Sequence, residues 1–236
     1  MTNIYSVDFE LGSSQYAKIT DGDQTNLDII GDISFEFWIK FETVPTGADV
    51  QTLHAKDDGT NRSWELIQFE TGGVKSIRFR TYEGALSGAE TWDFTPTVDT
   101  WYHIGMQYDV SQALGSKGIL YINKASQGNA DSSVGDNPTS ISNTSADFTI
   151  GARAGPTRYV DGKIDEFAIY SDLKDFSALD NKASKIGRAN MQGWWRFEND
   201  LTDETANSNN LTGVNSPTFS TDVPFTVATT NFFALL

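Results

Sequence analysis

Hydrophobic and polar residues alternate along most of this chain with a period of two. From Ser34 to Glu42 the run S-F-E-F-W-I-K-F-E puts Phe35, Phe37, Ile39 and Phe41 on one face and Glu36, Trp38, Lys40 and Glu42 on the other. That predicts an antiparallel strand with one buried side. Ser76–Tyr82 alternates again, Ile77 and Phe79 opposed to Arg78 and Arg80. Trp101–Tyr108 lines up Tyr102, Ile104, Met106 and Tyr108, and Gly118–Asn123 reads as its partner across a polar loop, Asp109–Lys117. Asp147–Gly151 and Gly162–Tyr170 are further strands, and Asp57–Asn61 and Gly128–Asn143 are dense in turn residues. One stretch has helical spacing: Phe176, Leu179, Ala183 and Ile186, with Gly187 to end it. Beyond it, Gly193–Phe197 is a short strand, and Leu211–Phe219 a strand-like run broken by Pro217.

Many short strands with so little helical periodicity predict an all-β, two-sheet antiparallel jelly-roll sandwich with one short helix near the C-terminus. Residues 1–172 form its core. Residues 173–236 add the helix, closing strands and an apolar tail to the same domain. With 38% hydrophobic and 12% aromatic residues in 236, the chain can fill the space between two sheets.

Composition then narrows the chemistry. The net charge of −15 argues against nucleic acid, which needs a basic stripe. The absence of cysteine excludes disulfides, thiol nucleophiles and thiolate metal sites. No apolar run reaches the ~18 residues of a membrane helix, so no membrane insertion is expected. Met1–Ser6 shows no basic-then-apolar leader, which predicts no signal peptide. Phe225, Phe232, Phe233, Leu235 and Leu236 make an apolar ending that should find a partner surface: a neighbouring subunit, or the domain's own sheet.

Several motifs resemble the laminin-G-like members of the concanavalin A-like lectin/glucanase jelly rolls. Tyr5-Ser6-Val7-Asp8-Phe9 with Gly12–Tyr16 is similar to their opening, although Glu10-Leu11 intrudes before the glycine. Phe35–Lys40 resembles their aromatic strand, and Trp101-Tyr102-His103-Ile104 their W-x-H strand. Leu120–Asn123 resembles their L-Y-I-N strand, with Lys124 replacing its glycine. Ile150-Gly151 with Gly162–Glu166 resembles their closing I-G…G-x-I-D-E. Together these span residues 4–172 in order. The tail motif, Gly193–Phe197 with Leu201–Glu204 and Asn209–Gly213, resembles a segment found beside such domains in bacteriophage and marine bacterial proteins.

The resemblance implies candidate sites. A structural calcium ion would use Asp165, with Gly31 and Asp8 as neighbours by analogy, because hard cations take oxygen ligands, backbone carbonyls included. Catalysis in the glucanase branch resembles E-x-D-x-x-E, which Glu65–Glu70 matches only superficially. Ile67 stands where the central acid belongs, and residues five apart on a strand face opposite ways. The expectation is two solvated carboxylates and no enzyme. Sugar binding would use rings beside polar groups: Tyr82, Trp92, Asp93, Arg153, Arg158 and Tyr159.

The expected function is therefore a non-catalytic binding or structural module. In one reading it is a virion-associated protein, a head decoration or tail appendage, that contacts other assembly subunits and cell-surface glycans. The alternative is a carbohydrate-binding domain of a bacterial surface protein, located extracellularly.

Overall fold

The computed structural model describes residues 3–155, 157–177, 185 and 188–225. Its strands, in chain order, are β1 (Ser6–Phe9), β2 (Tyr16–Ile19), β3 (Ile33–Phe41), β4 (Val50–Asp57), β5 (Arg62–Thr71), β6 (Val74–Glu83), β7 (Leu86–Asp93) and β8 (Trp101–Tyr108). They continue as β9 (Gly118–Ile122), β10 (Ala125–Ser126), β11 (Ser132–Gly135), β12 (Phe148–Ile150), β13 (Gly162–Tyr170), β14 (Met191–Trp195), β15 (Thr212–Val214) and β16 (Thr218–Ser220). Two antiparallel sheets result. The first runs β10-β9-β8-β3-β13-β1-β16, with β14 also pairing with β13; the second runs β11-β7-β6-β5-β4-β12-β2-β15.

The alternating apolar residues meet between the sheets. Phe35, Phe37, Ile39 and Phe41 of β3 face Leu53 of β4, Trp64 and Leu66 of β5, and Ile77 and Phe79 of β6 in one continuous core. Phe37 stacks on Phe167 with ring centres 5.3 Å apart, and Phe148 stacks on Trp195 at 5.4 Å. Ring pairs of this kind add to the area they bury.

Strands β4 and β7 lie where the sequence shows no clean alternation. Strand β5 carries apolar residues on both faces, and β11 lies inside the Gly128–Asn143 stretch read as turns. The helix expected over Phe176–Ile186 falls mainly outside the described residues. Phe176 itself lies on the outer face of the first sheet, in a second cluster with Tyr121, Ala168, Tyr170 and Trp194.

That covering corrects the expectation of a solvated outer face on β3. Glu36 is fully buried, accepting from Tyr170 Oη at 2.7 Å and paired with His103 Nε2 at 3.1 Å, Arg188 and Lys185. Burial alone would raise its pKa; Lys185, the His103 hydrogen bond and Arg188 overcome burial and hold it down at about 2. A bulge in β13, with Glu166 at φ +50°, lets Glu166 reach the same layer, where it accepts from Trp194 Nε1 at 2.8 Å and Arg196 Nε at 3.3 Å. The sandwich thus spends one outer face on its own later chain.

Candidate functional site

The outer face of the second sheet differs. Strict alternation points Trp64, Leu66, Ile77, Phe79 and Trp92 into the core. It leaves Glu65, Ile67 and Phe69 of β5, Arg78, Arg80 and Tyr82 of β6, and Ala89 and Thr91 of β7 on the opposite side. The register sets Glu65 directly across from Arg80, and Ile67 across from Arg78.

Glu65 organises this face. It is 1% exposed, and each of its oxygens takes a different arginine: Arg80 Nη1 at 2.8 Å on Oε1 and Arg158 Nη1 at 2.9 Å on Oε2. Arg80 comes from the neighbouring strand, and Arg158 from the loop between β12 and β13. Arg158 holds a left-handed φ of +63°, and its carbonyl accepts from Thr52 N at 2.7 Å. Such backbone costs energy in a residue other than glycine, so the surrounding structure must hold it there.

Arg62 extends the cluster. Its Nε donates to the Gly59 carbonyl at 2.8 Å, and its Nη1 donates to Tyr82 Oη at 3.3 Å; Arg80 Nη1 lies 3.4 Å from the same hydroxyl. Arg153 rests against Gly59, where an added Cβ would sit 3.4 Å from its Nη2. Arg78 stacks on Phe69, its guanidinium carbon 4.3 Å from the ring centre, and donates to Thr91 Oγ1 at 3.0 Å. Burial, then the charge of Arg80, pulls its pKa down. Asp57, fully buried beside them, has its pKa raised by burial first and by Glu65 second. The side chains of Arg80, Arg158 and Arg62 keep 26%, 30% and 40% of their surface exposed.

Two depressions flank the cluster. One, of about 460 Å³, is lined by Arg158 and Tyr159 with Val44, Pro45, Asp49 and Gln51. The other, of about 200 Å³, is lined by Arg62, Arg80 and Tyr82 with Ser87, Ala89 and Val134. Glu65 joins the two through the arginines it holds.

Residues 11–175 match the family Laminin_G_3, described as the Concanavalin A-like lectin/glucanases superfamily. The chain belongs to that superfamily. No curated protein sequence matches it. Among solved structures, it is similar to a provisionally assigned carbohydrate-binding protein from Bacteroides ovatus ATCC 8483, at TM-score 0.65 and 14% identity. That alignment covers 93% of this chain and 60% of the other, so the chain spans three fifths of that protein's length. It is similar to a heptameric SAP-like pentraxin from Limulus polyphemus at TM-score 0.51 and 9% identity, covering 74% and 79%. It is also similar to the CBM40 of a Ruminococcus gnavus IT-sialidase bound to α2,3-sialyllactose, at TM-score 0.50 and 10% identity, covering 74% and 94%. At these identities the likeness shows the fold.

Within this concanavalin A-like frame, the sugar candidates read from the sequence divide. Tyr82 and Arg158 join the cluster around Glu65, Arg153 rests at its edge against Gly59, and Tyr159 lines the larger depression. Trp92 does not join them: it points into the core, 1% exposed, with Nε1 on the Gly128 carbonyl at 3.1 Å. Asp93 is on the right face but bonds Ser76, four residues and so ~13 Å along β7 from the partner of Arg80. Glu65, expected in solvent, is instead a buried anchor, whereas Glu70 at the strand end pairs with Lys75 at 2.6 Å. Arg62, Arg78 and Arg80 were not among the candidates, although the pairing of Arg78 and Arg80 on one strand face was visible in the alternation.

The calcium residues do not converge. Asp8 pairs with Lys163 at one end of β13, while Ser34, just beyond Gly31, pairs with Tyr170 seven residues on, roughly 20 Å away. Asp8 keeps company with Glu10 and Glu42, but the Lys163 ammonium already pairs with Asp8 at 3.3 Å and with Glu42. Asp165, two residues along β13 from the partner of Asp8, is buried and accepts from Asn3 Nδ2 at 3.0 Å with its Oδ1 unpartnered; burial, then Glu166, raises its pKa. These three positions do not form the six-to-eight-oxygen shell of calcium.

Of the apolar ending, Phe225 lies within the described residues and packs on Trp38 of its own first sheet, ring centres 5.9 Å apart. Phe232, Phe233, Leu235 and Leu236 lie outside them.

Proposed function

We propose that this protein is a non-catalytic carbohydrate-binding module whose sugar lies across the outer face of the second sheet, between Tyr159 and Tyr82. One observation carries the reading: three partly exposed arginines, Arg80, Arg158 and Arg62, are held by the buried Glu65 and Tyr82 between two depressions on a rigid sheet. Sugar sites need rigid polar groups for hydroxyls and ring or aliphatic surface for the apolar faces of the sugar. The Bacteroides ovatus protein and the sialyllactose-bound CBM40 support it, since both are carbohydrate binders by description and share the sandwich.

The carboxylates of β5 are poorly placed for hydrolysis. A retaining glycosidase needs two carboxyl groups ~5 to 5.5 Å apart, one of them free to give a proton. Both oxygens of Glu65 are spent on arginines, Glu70 belongs to the opposite parity of β5, and Ile67 lies between them. A glycan array followed by reducing-sugar assays on the bound species tests both halves. Binding without release of reducing sugar is expected. Absence of any glycan ligand would overturn the binding reading; sugar release that disappears in Glu65→Gln would overturn the non-catalytic one.

A further inference from the structure

We propose that the arginine face selects saccharides bearing an anionic group, a carboxylate or a sulfate, and that Arg80 and Arg158 grip it with Arg62 alongside. This rests on the sugar-binding reading above and adds the class of sugar. The chain carries seven arginines and a net charge of −15. Five of the seven, Arg62, Arg78, Arg80, Arg153 and Arg158, gather on this one face. The carboxylates on the same face are Asp57, Asp58, Glu65 and, further along β7, Asp93, which leaves one positive charge in excess on the surface of an acidic protein. On a chain of this net charge, a face that gathers most of the arginines is where an anion is best received.

The geometry suits a planar or tetrahedral oxyanion better than a neutral hydroxyl. Glu65, beneath the surface, takes only the Nη1 group of Arg80 and of Arg158, one on each oxygen. No described residue accepts from the Nη2 group of either. Two guanidinium forks, each held through Nη1 by one buried carboxylate, therefore keep Nη2 donors that no described residue uses. Arginine's fork matches a carboxylate or sulfate bidentately, and fixing it in advance removes much of the ordering cost of binding. Arg62, tied to Gly59 and Tyr82, borders the same smaller depression as Arg80. Glu65 acts here as a positioning residue. It holds both forks in place and lets two like charges sit close together.

A nucleic acid is a poorer occupant, because so small an excess of positive charge on a strongly acidic chain gives none of the long basic stripe a phosphate backbone requires.

The test is calorimetric titration of the full chain with matched oligosaccharides: one neutral, one with a uronic or sialic acid carboxylate, one sulfated on the same backbone. The acidic forms should bind at least about tenfold tighter than the neutral one, and the gap should shrink as salt rises. Arg158→Lys and Arg80→Lys keep the charge but lose the fork, and each should erase most of the preference while leaving the fold intact by circular dichroism. Glu65→Gln should weaken acidic binding without abolishing it, because the arginines lose their anchor but remain. Equal affinity for acidic and neutral forms would overturn the proposal and leave the sugar reading standing. Binding of none of the three would remove the sugar reading itself. A free sulfate ion or an acidic peptide that competes as well as the acidic sugar would show an unselective anion site, and would also overturn it.

Discussion

His54 shows how one residue ties the stability of this fold to pH. It stands in the core among Phe35, Phe167, Phe37 and Phe148, with ring centres at 4.3, 5.1, 6.1 and 6.4 Å, and neither ring nitrogen has a hydrogen-bond partner. Burial alone pushes its pKa down to about 3. In the unfolded chain an imidazole titrates near 6.5. Between those values the unfolded state takes up a proton that the native state refuses. The contribution of His54 to stability is therefore full above pH ~6.5 and falls as pH drops toward 3, by at most ~1.4 kcal/mol per unit. His54→Leu removes that slope and also relieves an unpaired buried N–H worth ~1 to 3 kcal/mol. Urea unfolding at pH 7.5 and pH 5 should find the variant's advantage over wild type larger at pH 5. An advantage independent of pH would mean the imidazole does not stay neutral in the fold.

At the scale of elements, a strand and the segment covering it are fitted through one glycine. Gly105 lies mid-way along β8, opposite Glu36 on β3 and Tyr121 on β9. Phe176 rests directly upon it: a Cβ there would stand 2.6 Å from the Phe176 Cγ. The same ring meets Tyr121, Tyr170 and His103 edgewise or tilted. Gly105→Ala should push Phe176 off the sheet and cost ~1 to 3 kcal/mol, the usual range for overpacking. If that clash is the cause, the substitution should cost far less in a Phe176→Ala background. A double-mutant cycle by chemical denaturation measures the difference, and additive costs would place the strain elsewhere.

Across the whole molecule, the two outer faces have opposite fates. The first sheet is covered by residues late in the chain, and the covering reaches Asp222, which accepts from Lys40 Nζ at 2.7 Å and Trp101 Nε1 at 3.0 Å, and then Phe225 on Trp38. The second sheet spends its outer face on arginines. Phe225 is thereby a candidate for intrachain packing rather than for contact with another subunit. Phe225→Ala should cost ~1 kcal/mol or more, lowering Tm by ~2 to 4 °C, with no change of mass in sedimentation equilibrium. A change of mass at constant Tm would return Phe225 to a subunit contact.

Residue types and their order set the class of fold and the inner faces of its best strands. Period-two alternation over Ser34–Glu42, Ser76–Tyr82 and Trp101–Tyr108 names the residues that meet in the core, because a strand's side chains must point alternately to its two faces. It also displayed Arg78 and Arg80 on one face, and the missing cysteines closed off thiol chemistry. Alternation says that a side chain leaves the core face; it does not say what lies beyond. Glu36 and Glu65 both read as solvated strand carboxylates. Tertiary structure buried Glu36 against Arg188, 152 residues away, and clasped Glu65 between Arg80 and Arg158, 15 and 93 residues away. Trp92 went inward because its strand, too weakly patterned to be read, took its facing from the pairing of Ile77 with it. Strand register and loop return are set by the packing of the whole sandwich, and only they bring distant charges to one place.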